Sequence, residues 1–133
     1  MRYMLLIYST ERVDVQADPA DAQAIMQGHQ AVMEATMKAG IFRAAEPLHP
    51  TTTATTIRQQ NGKAITIDGP FAETKEQLAG YYILDCKDLD EAISWAGKIP
   101  TGCKGAPGCI EIRPIMDIAN LQEQVRQAVA QAV

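Results

Sequence analysis

Leu78-Ala79-Gly80-Tyr81-Tyr82-Ile83-Leu84-Asp85-Cys86, followed by Lys87-Asp88-Leu89-Asp90-Glu91, is the stretch whose reading decides the fold. The first part is apolar and rich in aromatic and branched side chains, as a buried strand requires. The second resembles a capping box, with Asp88 as cap and Glu91 three residues on. A short helix is predicted to follow, burying Leu89, Ala92, Ile93 and Ala96. Gly97 ends it, and Ile99-Pro100 blocks continuation. After a Gly/Pro-rich loop at Thr101–Gly108, Cys109–Arg113 reads as a strand again. One strand–helix–strand unit is therefore legible in the second half of the chain.

The first half carries another. Tyr3–Tyr8 reads as a strand. Asp18-Pro19 is an N-cap with proline at the first helical position. The helix is predicted to run to about Ala39 and stop at Gly40, a natural position just past a C-terminus. Its apolar stripe reads Ala22, Ile25, Met26, Val32, Met33 and Met37. Ile41–Leu48 is extended, ended by His49-Pro50. Thr51–Arg58 is rich in β-branched residues. Asn61-Gly62 matches a two-residue hairpin turn, since both residues tolerate positive φ. Ala64–Ile67 is the returning strand. A tail helix places Ile118, Leu121, Val125 and Ala128 on one face. The predicted fold is α+β: a ferredoxin-like antiparallel sheet with helices on one face. Its open face, with Leu5, Ile7, Ile83 and Ile112 available, needs cover. A homodimer is the simplest cover.

Bulk properties bound the function. A chain of 133 residues is expected to be a single domain spanning 1–133, with 117–133 its C-terminal helix. At this size it buries roughly two-thirds of its unfolded surface. No apolar window approaches the roughly 18 residues of a membrane span, so no membrane association is expected. Met1–Tyr8 has a signal-like start, but its apolar run is short and reads as the first strand. Net charge is −4 and the basic residues are evenly spread. A nucleic-acid surface needs clustered Lys and Arg, so no nucleic-acid partner is expected. Cys86, Cys103 and Cys109 form no Cys-x-x-Cys. Cys86 reads as a small buried side chain. Cys103 and Cys109 flank the Gly/Pro loop, where a metal pair or a disulfide are alternatives to reduced thiols in the cytoplasm. The two histidines lie twenty residues apart and form no metal motif. Phosphate-loop, dinucleotide and nucleophile-elbow signatures are missing. The sequence therefore predicts neither a metal nor a cofactor.

Asp68-Gly69-Pro70-Phe71-Ala72-Glu73-Thr74-Lys75-Glu76 is the richest loop. It joins a sharp turn, an aromatic side chain, three carboxylates and an ammonium, tethered between two strands. With Gln77-Leu78-Ala79-Gly80-Tyr81-Tyr82 after it, the loop resembles the signature of the DGPF branch of the YCII-related proteins. Thr53-Ala54-Thr55-Thr56-Ile57-Arg58 is similar to that pattern too. The likeness runs from Tyr3 to about Pro114. It implies a dimeric α+β barrel, and it implies an association with sigma-factor systems, which for this chain would be in trans. In the YCII branch proper, a helix-one histidine paired with an aspartate is a candidate catalytic site, and His29, eleven residues before Gly40, suits that position.

Several residues emerge as candidates. Asp68 and His29 are the candidate proton carriers. His29 lies on the apolar side of the long helix, where a general base and a core histidine with one hydrogen bond are the competing readings. Asp68 has a turn-capping alternative. His49, Arg58, Phe71, Glu73 and Lys75 are candidate ligand-binding residues. Arg58 offers a bidentate anion contact. Phe71 is either a pocket wall or a core plug. The expected function is binding of a small molecule by a dimer, with a pocket near the Asp68–Lys75 loop. The alternatives are an acid–base enzyme using Asp68 with His29 or His49, and a non-catalytic regulatory or interaction module.

Overall fold

The computed structural model describes residues 1–11, 18–102 and 107–132. Cys103 lies outside them, so the Cys103–Cys109 alternatives do too. Among the described residues no disulfide forms, and Cys86 and Cys109 do not pair with each other. The elements are β1 (Arg2–Ser9), α1 (Pro19–Lys38), β2 (Phe42–Pro47), a 3-10 turn (Thr51–Thr53), β3 (Thr55–Gln60), β4 (Lys63–Asp68), β5 (Gln77–Asp85), α2 (Leu89–Ala96), β6 (Gly108–Pro114) and α3 (Ala119–Gln131).

The main sheet has order β2-β5-β1-β6, antiparallel throughout. That order, with helical crossovers from β1 to β2 and from β5 to β6, is the ferredoxin-like arrangement predicted. The hairpin lies elsewhere than the sequence pattern suggested. β3 and β4 form a separate two-stranded ribbon, inserted between β2 and β5. The ribbon's residues are largely exposed, because a paired ribbon satisfies its own backbone without joining a core. Its turn is the one the sequence demands: Asn61 has φ 52° and Gly62 φ 78°, the mirror-image turn that follows strand twist.

Local chemistry sets the helix starts. The Asp18 carboxylate accepts from the Ala20 amide at 2.9 Å, and that of Asp88 accepts from the Glu91 amide at 2.9 Å. Each satisfies an amide left free at a helix start.

The core lies between the sheet and α1 and α2. Tyr3, Leu5, Ile7, Tyr82 and Leu84 are buried there with Val32, Thr36 and Ala92. The expected open-face set is therefore corrected. Leu5 and Ile7 point to the helices, and so does Ile112, which pairs with Leu5 in register. Ile83 pairs with Met4 and lies on the opposite face with Leu6 and Tyr81. The helix stripes shift as well. On α1, Met26 is 70% and Met37 56% exposed, while Thr36 is fully buried. The Thr36 hydroxyl donates to the Val32 carbonyl at 2.8 Å, which lets a polar residue face the core. On α2, Leu89 and Ile93 are exposed and Ala92 is buried. Small residues face inward where helix and sheet approach closely.

Candidate functional site

An apolar groove lies between α1 and the β2–β5 side of the sheet, with a cavity of about 370 Å³. Three features build it. Ile25, His29 and Met33 stand at successive i, i+4 positions of α1, so their side chains stack along one face. Ala45 and Pro47 of β2 form the opposite wall. Gly80 sits in the floor. A Cβ there would lie 2.7 Å from the Glu46 carbonyl oxygen and 3.2 Å from Pro47 Cα. Glycine is what lets β2 approach β5 so closely at this point.

The polar feature of the groove is a pair. His29 Nδ1 lies 2.8 Å from the Tyr82 hydroxyl, and the rings are nearly parallel, 17° apart with centroids 5.9 Å apart. The same hydroxyl lies 3.5 Å from the His29 carbonyl. A hydroxyl has one proton, so two arrangements fit these contacts. Tyr82 donates to Nδ1 and the imidazole proton resides on Nε2, or Nδ1–H donates to the hydroxyl, whose proton then faces the His29 carbonyl. Burial lowers the His29 pKa and raises that of Tyr82, because a partly desolvated site disfavours either charge. At neutral pH the pair is an uncharged imidazole and an uncharged phenol. Among the described residues neither Lys nor Arg lines the groove, and Glu46 is its one carboxylate, on a residue whose register partner Tyr81 belongs to the opposite sheet face.

The structure brings His29 into the groove and places the other candidates outside its lining. Asp68 is exposed at the end of β4, paired in register with Thr55. Phe71 is 73% exposed. Glu73 and Lys75 are exposed on the same loop. Arg58 donates to the Phe71 carbonyl at 3.0 Å, Thr56 to that of Gly69 at 2.8 Å, and the Gly69 amide to Ala54 at 2.8 Å. These bonds hold the loop on the ribbon. His49 is exposed between β2 and the 3-10 turn. Glu11 braces that turn, accepting from the Thr51 amide at 2.8 Å and its hydroxyl at 2.6 Å. Among the described residues no group of three or more His, Cys, Asp or Glu is arranged to hold a metal, and no helix is long and apolar enough to cross a membrane.

Tyr82 was not a sequence-level candidate. Its signal is the strand alternation Tyr82–Leu84, which points it toward the helices. Its pairing with His29, fifty-three residues away, arises only in the folded sheet.

A ferredoxin-like α+β domain with an apolar groove under its first helix is thus the class that fold and site define. Residues 1–119 match the YCII-related domain, and the chain belongs to that family. A protein of Rhizobium meliloti (strain 1021) described as uncharacterized is 38% identical over 115 residues, which cover 86% of this chain and 92% of the relative.

Proposed function

We propose that this chain is a small-molecule-binding protein of the DGPF branch, acting as a homodimer in the cytoplasm, with the His29–Tyr82 groove as its binding site. One observation carries the reading: a neutral hydrogen-bonding pair, 2.8 Å apart, stands in a largely apolar cavity of about 370 Å³. Small-molecule sites pair apolar walls with a few fixed polar groups in this way. The groove's chemistry selects the ligand class. With no cationic side chain among its described lining residues it disfavours anions, and with Tyr82 donating to Nδ1 its Nε2–H favours a neutral, mostly apolar molecule carrying one acceptor such as a carbonyl. The DGPF assignment rests on Asp68–Glu76 and the Thr53–Arg58 run.

The open sheet face supports the dimer. Met4, Leu6, Tyr81 and Ile83 stand on the side away from the helices, where a second copy removes them from water. Acid–base catalysis is the second reading, favoured by the lowered pKa of His29, which keeps the imidazole unprotonated at neutral pH. On that reading Tyr82 holds the imidazole in place, and the Asp68–Lys75 loop contributes from the ribbon. A regulatory role needs the binding step alone.

Thermal shift against a metabolite library tests the proposal. A ligand at a hundred times its Kd adds about 2.7 kcal/mol to the folded state. Ala22 is exposed on α1 and lines the groove, so Ala22→Trp obstructs it without disturbing the core. The shift is expected to vanish in that variant. A hit that stabilises Ala22→Trp as well as the wild type places binding elsewhere and overturns the proposal.

A further inference from the structure

We infer that the groove under α1 takes neutral ligands of either polarity, hydrogen-bond acceptors and neutral N–H donors alike, because the Tyr82 hydroxyl lets His29 offer a donor or an acceptor at Nε2. This dual capacity rests on the binding role proposed above for the groove. A partly buried histidine is ordinarily held in one tautomer by what its second nitrogen meets. A backbone carbonyl or a carboxylate at Nδ1 can only accept, so it fixes the proton on Nδ1. His29 meets neither there. Its Nδ1 lies 2.8 Å from the Tyr82 hydroxyl, and a hydroxyl both donates and accepts.

Both arrangements keep that short bond. When Tyr82 donates to Nδ1, Nε2 carries the imidazole proton and is a donor. When Nδ1–H donates to Tyr82, the hydroxyl proton needs an acceptor of its own, and the His29 carbonyl stands 3.5 Å from the same oxygen. Nε2 is then a bare lone pair. The change needs a turn of the hydroxyl and a new site for one imidazole proton. The rings themselves, 17° from parallel, keep their places. Burial holds both groups uncharged near neutral pH, so the exchange links two neutral states and brings no charge into the groove. Nδ1 is the ring nitrogen that bonds to protein among the described residues, which leaves Nε2 to the contents of the groove. Ile25, Met33, Ala45 and Pro47 around it are apolar, so the imidazole is the group that reads a ligand's polar atom. The ligand class thereby widens from carbonyl compounds to neutral heteroaromatic N–H compounds of the same shape.

Three bicyclic probes of similar shape test this on the full chain at pH 8. 1-Indanone offers an acceptor alone, indole an N–H donor alone, and indane neither. Backbone-amide NMR shifts locate and titrate each probe. Long-range nitrogen–proton correlations report which imidazole nitrogen is protonated, with His49→Gln assigning the signals. 1-Indanone and indole are each expected to shift Ile25, His29, Met33 and Tyr82, and to bind roughly two- to tenfold tighter than indane, as one net hydrogen bond implies. The proton is expected on Nε2 with 1-indanone and on Nδ1 with indole. A proton on the same nitrogen in both complexes overturns the dual capacity and leaves the groove a binding site. So does either polar probe binding in the groove no tighter than indane. Shifts that miss the groove amides with all three probes overturn the binding role itself, and the dual capacity with it.

Discussion

Replacing Tyr82 by Phe removes one oxygen and tests the site's internal chemistry. The ring stays, so packing against Leu5 and Leu84 is kept. What disappears is the 2.8 Å bond to His29 Nδ1. A neutral hydrogen bond contributes about 0.5–1.5 kcal/mol net. For a chain of this size that corresponds to a fall in Tm of roughly 2–6 °C. The second consequence is electrostatic. In the arrangement where Tyr82 donates to Nδ1, that donor stabilises the neutral imidazole, so its removal lets His29 take up a proton more readily. Its pKa, held below 6.5 by burial, is expected to move upward in Tyr82→Phe. The chain has two histidines, and His49→Gln assigns the resonances. A ring-proton NMR titration with a urea unfolding series at pH 8 reads both effects. An unchanged or further lowered His29 midpoint, with wild-type stability, refutes the pairing in that arrangement.

His29 has a depressed folded pKa, so the unfolded chain binds its proton first. Its contribution is intact above 6.5 and is lost as pH falls from there toward the lower folded value. Urea midpoints between pH 8 and pH 5 should fall in the wild type, and that fall should be shallower in His29→Gln; equal slopes contradict the shift. Gly80→Ala places a Cβ against backbone atoms that cannot swing away, with an expected loss of roughly 1–3 kcal/mol in chemical denaturation. Gly62→Ala, at φ 78°, should cost about 1 kcal/mol, read in the same experiment. Light scattering is expected to give twice the 14.5 kDa chain mass, reduced by Leu6→Lys on the open sheet face. A wild-type monomer removes the dimer from the account.

What could be read from the sequence was what is decided locally. Asp18, Asp88 and the Asn61-Gly62 turn act on neighbours within a few residues, and each does in the structure what its chemistry predicts. The order of elements and the ferredoxin-like class followed from such signals. Facing was harder. α1 has methionines on several sides, and apolar spacing alone did not show that Thr36 turns inward while Met26 and Met37 turn out. The β3–β4 ribbon illustrates a related gap: a hairpin pattern does not say which sheet it joins. The groove was half legible. His29 stood out as a titratable residue on an apolar helix face, whereas its partner was decided by the register that sets Tyr82 opposite Leu5. The loop at Asp68–Glu76 drew attention by its charge density, a property shared by sites and solvated turns alike.

The central claim is that the groove under α1 binds a neutral, largely apolar ligand through the His29–Tyr82 pair. The most direct measurement is a backbone-amide NMR screen of the full chain against neutral carbonyl-bearing fragments and their carboxylate analogues. The account predicts saturable shifts grouped at Ile25, His29, Met33, Ala45 and Tyr82, caused by the neutral series and weakened in Tyr82→Phe. Shifts clustered instead on the Asp68–Lys75 loop, or a preference for the carboxylates, would contradict it.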